Sequence, residues 1–314
     1  MNDRLDSETF DYSVVIPVYN SEASLEELCN RINKVFATLN QTHEIILVDD
    51  SSVDNSWQVM ESLRKKNKNI KIIQLMRNFG QQNALMCGFH HVSGKYVITM
   101  DDDLQHPPEE LPKLIDEIKK GYDVVIGALD AKQDTLFKKA GSFLIRYLNT
   151  KIFNKPKHIK LSSFRIMTIT LIDEIKILKT PYPFISAMFL SLTRNIGNVT
   201  VRHEKRKYGR STYSFNKLIK VAFNLIINYT SLPLRLLTLF GIIISLFSFC
   251  MGLYFILEKL LIKAIIPGWT SVVVLLSFFS GILLAILSIM GEYLARIINE
   301  VSNRQQYVIR KKHL

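Results

Sequence analysis

The sequence predicts an α/β protein: a doubly wound, Rossmann-like, mostly parallel sheet in a cytoplasmic domain, then an interfacial amphipathic helix and two transmembrane helices. Three observations predict it. From residue 13 to 128, short β-branched runs alternate with longer stretches of helical spacing, the pattern of strands joined by crossover helices. Two later runs, 236–257 and 269–291, contain no charged residue. Carboxylates gather just after two of the early strands.

The elements follow in order. Ser13 to Val18 is an apolar run closed by Tyr19-Asn20, and helical spacing extends from Glu22 to Leu39. Glu44 to Val48 is a second strand, ended by Asp49-Asp50-Ser51-Ser52. Lys71 to Leu75, Lys95 to Met100 and Tyr122 to Gly127 read as the third, fourth and fifth. Continuous apolar strands suit a sheet covered on both faces. Residues 214–227 space their apolar side chains by three and four, as a helix lying in a membrane interface does. Each charge-free run exceeds the roughly 20 residues that cross a hydrocarbon core. The expected domains are therefore 1–210, a juxtamembrane segment 211–233, a two-helix region 234–293 and a basic tail 294–314.

Composition agrees. Across 314 residues, 40 Lys+Arg against 28 Asp+Glu give a net charge of +12. The mean hydropathy is nevertheless +0.13, so charge and apolarity are segregated along the chain. A hydrophobic content of 48% excludes a disordered chain. Cys29, Cys87 and Cys250 lie far apart without a CxxC pair, which argues against a disulfide scaffold and points to a reducing compartment and no zinc site. The polar, acidic segment Met1–Tyr12 is not a secretory signal. Basic residues flank the apolar runs, from Arg202 to Arg235 before them and from Arg296 to Lys312 after them. Only Glu258, Lys259 and Lys263 are charged in the connecting loop. The positive-inside rule then places both termini and the large domain in the cytoplasm, on the inner face of the membrane. Anionic lipid explains a basic collar in that place better than nucleic acid does. Gly241, Gly252 and Gly281 offer points of close helix packing, and so a route to a homo-oligomer, without forming a GxxxG pair.

Open α/β sheets bind ligands at the carboxyl ends of their strands. Here the second strand ends in Asp49-Asp50 and the fourth in Asp101-Asp102-Asp103-Leu104-Gln105-His106-Pro107-Pro108. So many neighbouring carboxylates repel one another unless a cation or a donor-rich ligand sits among them. Hard ions such as Mg²⁺ take one or two carboxylates together with substrate phosphates. Neither a GxGxxG fingerprint nor a P-loop is present. Taken singly, Asp49 and Asp101 also suit the turn-forming and helix-capping roles common after strands.

These residues carry a resemblance. Val15-Ile16-Pro17-Val18-Tyr19-Asn20, Val48-Asp49-Asp50-Ser51-Ser52-Val53-Asp54 and Asp101 to Glu109 resemble family 2 glycosyltransferases with the GT-A fold. Arg77-Asn78-Phe79-Gly80-Gln81, Ser162-Ser163-Phe164-Arg165, Arg206 to Ser214 and Met290 to Arg296 narrow the likeness. It is to bacterial polyprenyl-phosphate glycosyltransferases, relatives of dolichol-phosphate mannose synthase that include undecaprenyl-phosphate glucosyl- and aminoarabinosyl-transferases. The resemblance implies an inverting transfer of one sugar from a nucleotide-diphosphate sugar, a UDP-sugar above all, to the phosphate of a membrane polyprenol. It implies a divalent cation, Mg²⁺ or Mn²⁺, held by Asp101 and Asp103 with Gln105 completing the shell. It implies that Asp50 meets the nucleobase, with Pro17, Tyr19 and Asn20 lining the nucleotide cleft. Arg206, catalytic with the two aspartates, and Ser211 would meet acceptor phosphate. Asp102, Lys132, Ser163, Arg165 and Tyr213 complete the implied substrate-binding set.

Three positions depart from the family pattern. Ser163 stands where many relatives have Asp, Leu129 and Lys132 where arginines are common, and Thr212 where Lys is common. The first bears on whether an enzyme base is used, the others on the donor sugar. Two rival readings are a processive polysaccharide synthase and a non-catalytic membrane adaptor or lipid translocator with a relic nucleotide fold. The first needs a QxxRW motif, which neither Trp57 nor Trp269 completes, and the intact DxD run disfavours the second.

Overall fold

The computed structural model describes residues 10–129, 159–178, 180, 183–204, 268–301 and 305–314, with single positions between 239 and 257. The chain forms two compact units, Met1–Tyr213 with Gln305–Leu314, and Ser214–Arg304.

The first unit is built on an eight-stranded sheet. Its strands are β1 (Tyr12–Val18), β2 (His43–Asp49), β3 (Ile70–Leu75), β4 (Tyr96–Thr99), β5 (Val124–Leu129), β6 (Arg165–Thr168), β7 (Ile196–Val201) and β8 (Ile309–His313). They lie in the order β7-β5-β6-β4-β1-β2-β3-β8. β1 pairs in parallel with β2 and β4, β2 with β3, and β5 with β7. Only β6 and β8 run antiparallel to their neighbours. The sheet is therefore mixed and mostly parallel, as the sequence predicts.

All seven residues of β1 are buried, because helices cover both faces. On one face, α1 (Leu25–Leu39), α2 (Ser56–Lys66) and α4 (Leu111–Ile118) enclose a core that holds Val14, Ile16 and Val18. On the other, α3 (Gln81–Phe89), α5 (Ile169–Ile177) and α6 (Ile185–Leu192) pack around Val15, Ile46 and Val48. The strand alternation sends successive side chains to opposite cores. In α1 the buried residues Leu25, Leu28, Cys29, Ile32, Val35 and Phe36 make one stripe. Asn40 closes that helix in the left-handed conformation at φ 51°. The helix starts at Leu25 rather than at Glu22, because the preceding residues turn, with Ser24 N donating to Ser21 O at 3.0 Å.

β1 and β4 are the site of the topological switch. β2 and β3 extend the sheet to one side of β1, and β4 lies on the other. The last β1–β4 pair is Val15↔Thr99, whereas β1–β2 pairing continues to Val18↔Asp49. The two strands thus part at their carboxyl ends and leave a crevice where ligands of such sheets bind.

In the second unit, α7 spans Trp269–Val301. Its 33 residues make it about 50 Å long. It continues through Glu292 and Arg296, past the charge-free run 269–291, because charge ends an apolar span without ending a helix. Among the described residues it is the one helix long and apolar enough to cross a membrane, with its apolar window at Phe278–Ala295. The described positions between Leu239 and Leu257 are helical. The rest of the first charge-free run and the amphipathic segment 214–227 lie outside the described residues. The final residues, read from the sequence as part of a basic tail, instead form strand β8 on the edge of the sheet.

Candidate active site

Four short segments meet at the crevice: the turns after β1, β2, β3 and β4. Three of them hold a non-glycine residue at positive φ, namely Asn20 (55°), Ser51 (61°) and Leu104 (59°). The left-handed region costs an L-residue about 1–2 kcal/mol. Such strain persists only where surrounding contacts fix it, and it concentrates at functional sites.

Those contacts are specific. Asn20 N donates to Ser52 Oγ at 3.0 Å, and Asn20 Oδ1 accepts from Val53 N at 2.9 Å, which joins the first two turns. Asp102 Oδ2 accepts from Tyr19 N at 3.1 Å and from Ser21 Oγ at 2.5 Å, which joins the first turn to the fourth. Asp49 is fully buried; it accepts from Ser52 N at 2.9 Å and from Gln74 Nε2 at 3.1 Å, a turn-forming role. Asp50 accepts from Phe79 N at 2.7 Å and Gly80 N at 2.8 Å, one bond to each carboxylate oxygen. Burial raises the Asp50 carboxyl, the two N–H bonds oppose that rise, and Asp49 adds to it. The turn of Arg77 to Gly80 is thereby fixed to the end of β2.

Asp101, Asp102 and Asp103 are all partly exposed. Asp101 is gripped on both sides, with Gln81 Nε2 donating to Oδ1 at 2.6 Å and Ser163 Oγ donating to Oδ2 at 2.5 Å. Asp103 Oδ1 accepts from Gln105 N at 3.1 Å. The Asp102 carboxyl is pushed up to about 6, chiefly by burial, with Asp101 and Asp103 adding to it against the bonds from Ser21 and Tyr19. Among the described residues no group of three or more His, Cys, Asp or Glu is gathered so as to hold a metal ion. Asp101 and Asp103 nevertheless fit a hard divalent ion: they are oxygen donors in a pocket of excess negative charge, which a cation relieves.

Around this centre the structure separates residues that the sequence groups together. Tyr19 is 49% exposed and stands on the crevice, whereas Pro17 is buried within β1. Arg165, expected to touch substrate, is 2% exposed. Its Nε donates to Thr99 Oγ1 at 3.2 Å, its Nη1 donates to Ser186 Oγ at 3.0 Å, and its guanidinium lies 5.5 Å from the Phe189 ring centre. Burial lowers it to about 10, with Asp101 opposing. It is a buried cation behind the aspartates and not part of the crevice surface. Lys132, Arg206, Ser211 and Tyr213 lie outside the described residues.

Gln81 and Ser21 also belong to the site, through their bonds to Asp101 and Asp102, although the motifs give them no role there. Gln81 closes the Arg77–Gln81 segment, so its signal was present without a role. The residues that follow β7 are tied to the β4 turn and the helix after it, since Glu204 N donates to Gln105 O at 2.9 Å and Arg202 Nε donates to Glu110 Oε1 at 2.8 Å. The buried His106 stacks on Phe164 at 5.3 Å and meets the edge of His203 at 5.6 Å.

Comparison with known proteins places this geometry. The model of the family described as glycosyl transferase family 2 matches residues 13–175. The undecaprenyl-phosphate 4-deoxy-4-formamido-L-arabinose transferase of Klebsiella pneumoniae (strain 342) is 36% identical over 305 residues, covering 95% of this chain and 92% of its own. The protein of the same name from Proteus mirabilis (strain HI4320) is 37% identical over 302 residues, covering 95% of this chain and 93% of its own. Glucosyl-3-phosphoglycerate synthase from Mycobacterium tuberculosis, crystallised with Mn²⁺, UDP and glucosyl-3-phosphoglycerate, superposes with a TM-score of 0.52. At 16% identity over 69% of this chain and 78% of that one, it shows a shared fold alone.

Proposed function

The chain belongs to glycosyl transferase family 2 and is a glycosyltransferase, and on that footing we propose that it transfers one sugar from a nucleotide-diphosphate sugar to undecaprenyl phosphate. The observation that carries this reading is the reach of the similarity. It covers 95% of the chain, well beyond the family domain, in enzymes named for that acceptor. The UDP derivative of 4-deoxy-4-formamido-L-arabinose is the first donor to assay. Mg²⁺ or Mn²⁺ would be held by Asp101 and Asp103, with Gln105 beside them. When bound, the ion supplies positive charge to the departing diphosphate.

The chain's own residues do the rest. Gln81 and Ser163 hold Asp101 in one orientation, and Asp102 locks the β1 turn against the β4 turn. Tyr19 and Asn20 border the nucleotide, and Asp50 holds the turn that faces it. A phosphate monoester has a second pKa near about 6, so the acceptor is largely dianionic at neutral pH and needs no base. That fits Ser163, which donates to a carboxylate and is no base. The acceptor's obstacle is its charge. Arg206 and Ser211 would receive its phosphate, since guanidinium binds phosphate in bidentate fashion. Inversion at the anomeric carbon follows from direct attack of a phosphate oxygen as the nucleotide diphosphate leaves. Two membrane spans, with α7 as the second, would keep the chain at the membrane in which the lipid acceptor lies.

The test is direct. Membranes containing the chain are incubated with labelled UDP-sugars and undecaprenyl phosphate, and the lipid fraction is analysed. A single-sugar lipid-linked product is expected. A polymer, or no product with any donor, refutes the reading.

A further inference from the structure

Strand β8 closes on β3, the strand that leads into the turn holding Asp50 and Asp101. The β3–β8 pairs run from Ile72↔His313 to Leu75↔Ile309, with an irregularity between Gln74 and Leu75. Two further bonds carry the grip past the end of the ladder. Met76 N donates to Val308 O at 2.8 Å, and Arg310 Nη2 donates to Met76 O at 2.8 Å. Both backbone polar groups of Met76 are therefore held by the last residues of the chain. Tyr307 and Ile309 pack on the same core as Phe79. Met76 itself is 52% exposed, so burial alone does not fix the chain at that point.

From Met76 the chain passes directly into the functional turn. Phe79 N and Gly80 N hold Asp50, Gly80 takes φ +90°, and Gln81 Nε2 holds Asp101. Catalytic geometry is unforgiving: a displacement of about 1 Å can cost roughly 10²-fold. We propose that β8 is a positioning element of the donor site, which clamps Met76 and so sets the turn that orients Asp50 and Asp101. The proposal rests on the donor reading above. Its consequence is that residues following the membrane-spanning unit tune nucleotide binding.

The test uses the full chain in nanodiscs. UDP affinity in the presence of Mn²⁺ is measured by calorimetry, and donor KM, acceptor KM and kcat by the transfer assay. Arg310→Ala is expected to raise the UDP Kd and the donor KM at least about fivefold while leaving the acceptor KM unchanged. Arg310→Lys should recover part of the loss. Arg64 Nη2 donates to Leu314 O at 2.8 Å, at the opposite end of β8, so Arg64→Ala should stay within about twofold of wild type on both measures. A chain lacking residues 306–314 should bind UDP poorly and regain affinity when a peptide of residues 305–314 is added. Equal effects of Arg310→Ala and Arg64→Ala would mean general stabilisation and overturn the proposal, as would an unchanged UDP Kd in Arg310→Ala. Should the shortened chain fail to fold, the Arg310 and Arg64 variants decide. A wild type that binds UDP but forms no lipid-linked sugar would refute the acceptor assignment and leave the calorimetric test of β8 intact.

Discussion

Ser163→Ala isolates the question of the base. In the structure the Ser163 hydroxyl donates to Asp101 Oδ2 at 2.5 Å, while Gln81 keeps its bond to Oδ1 at 2.6 Å. The backbone here does not depend on that hydroxyl. Thr99 Oγ1 donates to the Ser163 carbonyl at 2.6 Å, and Ser162 Oγ donates to Gly127 O at 2.8 Å. The variant therefore loses one hydrogen bond to a charged acceptor, worth about 1.5–3 kcal/mol. Asp101 is partly exposed, so water replaces some of the lost interaction and the lower end applies. About 1.4 kcal/mol is roughly tenfold in rate. The expected outcome is a loss of up to about tenfold in kcat, with the acceptor KM and the shape of the pH–rate profile unchanged. The assay is formation of labelled lipid product from pH 6 to 9 at saturating acceptor. A loss above about 10³-fold, or a pH profile that shifts, would mean that the hydroxyl takes part in proton transfer and would refute the reasoning.

Asp101→Asn and Asp103→Asn should each abolish transfer while membrane insertion persists, and chelation should silence the wild type; full activity in excess EDTA would rule out the ion. Arg206→Ala should raise the acceptor KM or lower kcat at least about tenfold, with partial recovery in Arg206→Lys, as read by acceptor titration. Asp102→Asn tests the pH linkage. A carboxyl raised from 3.8 to about 6 on folding opposes folding once it ionises. Stability is therefore greatest below the unfolded pKa and is lost as pH rises through the folded one. In chelator, Asp102→Asn should be more stable than wild type near pH 7.5, by no more than about 3 kcal/mol, and the advantage should shrink to about 0.5 kcal/mol at pH 4 and vanish below pH ~3.

The strands β1 to β5 are legible because each carries a run of apolar residues in a sheet covered on both faces, interrupted in β3 by the half-buried Lys71 and Gln74. β6 and β8 carry no such run. β6 is four residues long and opens with a buried arginine. β8 reads Ile-Arg-Lys-Lys-His, since an edge strand pairs through its backbone and needs no apolar side chains. The aspartate runs identified the crevice, because charge at strand ends is visible in one dimension. Depth is not. Arg165 and Tyr19 were placed in one set, yet one lies behind the carboxylates and the other stands on the crevice. The link from Gln81 to Asp101 joins residues on separate turns and becomes visible only when β1 and β4 are seen to part. The resemblance gives Asp50 to the nucleobase, whereas in the structure each of its carboxylate oxygens accepts from the backbone of the 76–80 turn.

The basic character of β8 bears on colloidal behaviour. Without it, β3 would form an outer boundary of the sheet, with free N–H and C=O groups able to recruit a strand from another molecule. With it, that boundary presents Arg310, Lys311, Lys312 and His313, all exposed. A second chain adding there would have to bring like charges together and strip their water. Edge-to-edge growth of that kind is a route to insoluble assemblies. Neutralising this strand, for example with Lys311→Thr and Lys312→Val, would remove that electrostatic barrier and leave a β-prone edge facing its neighbours.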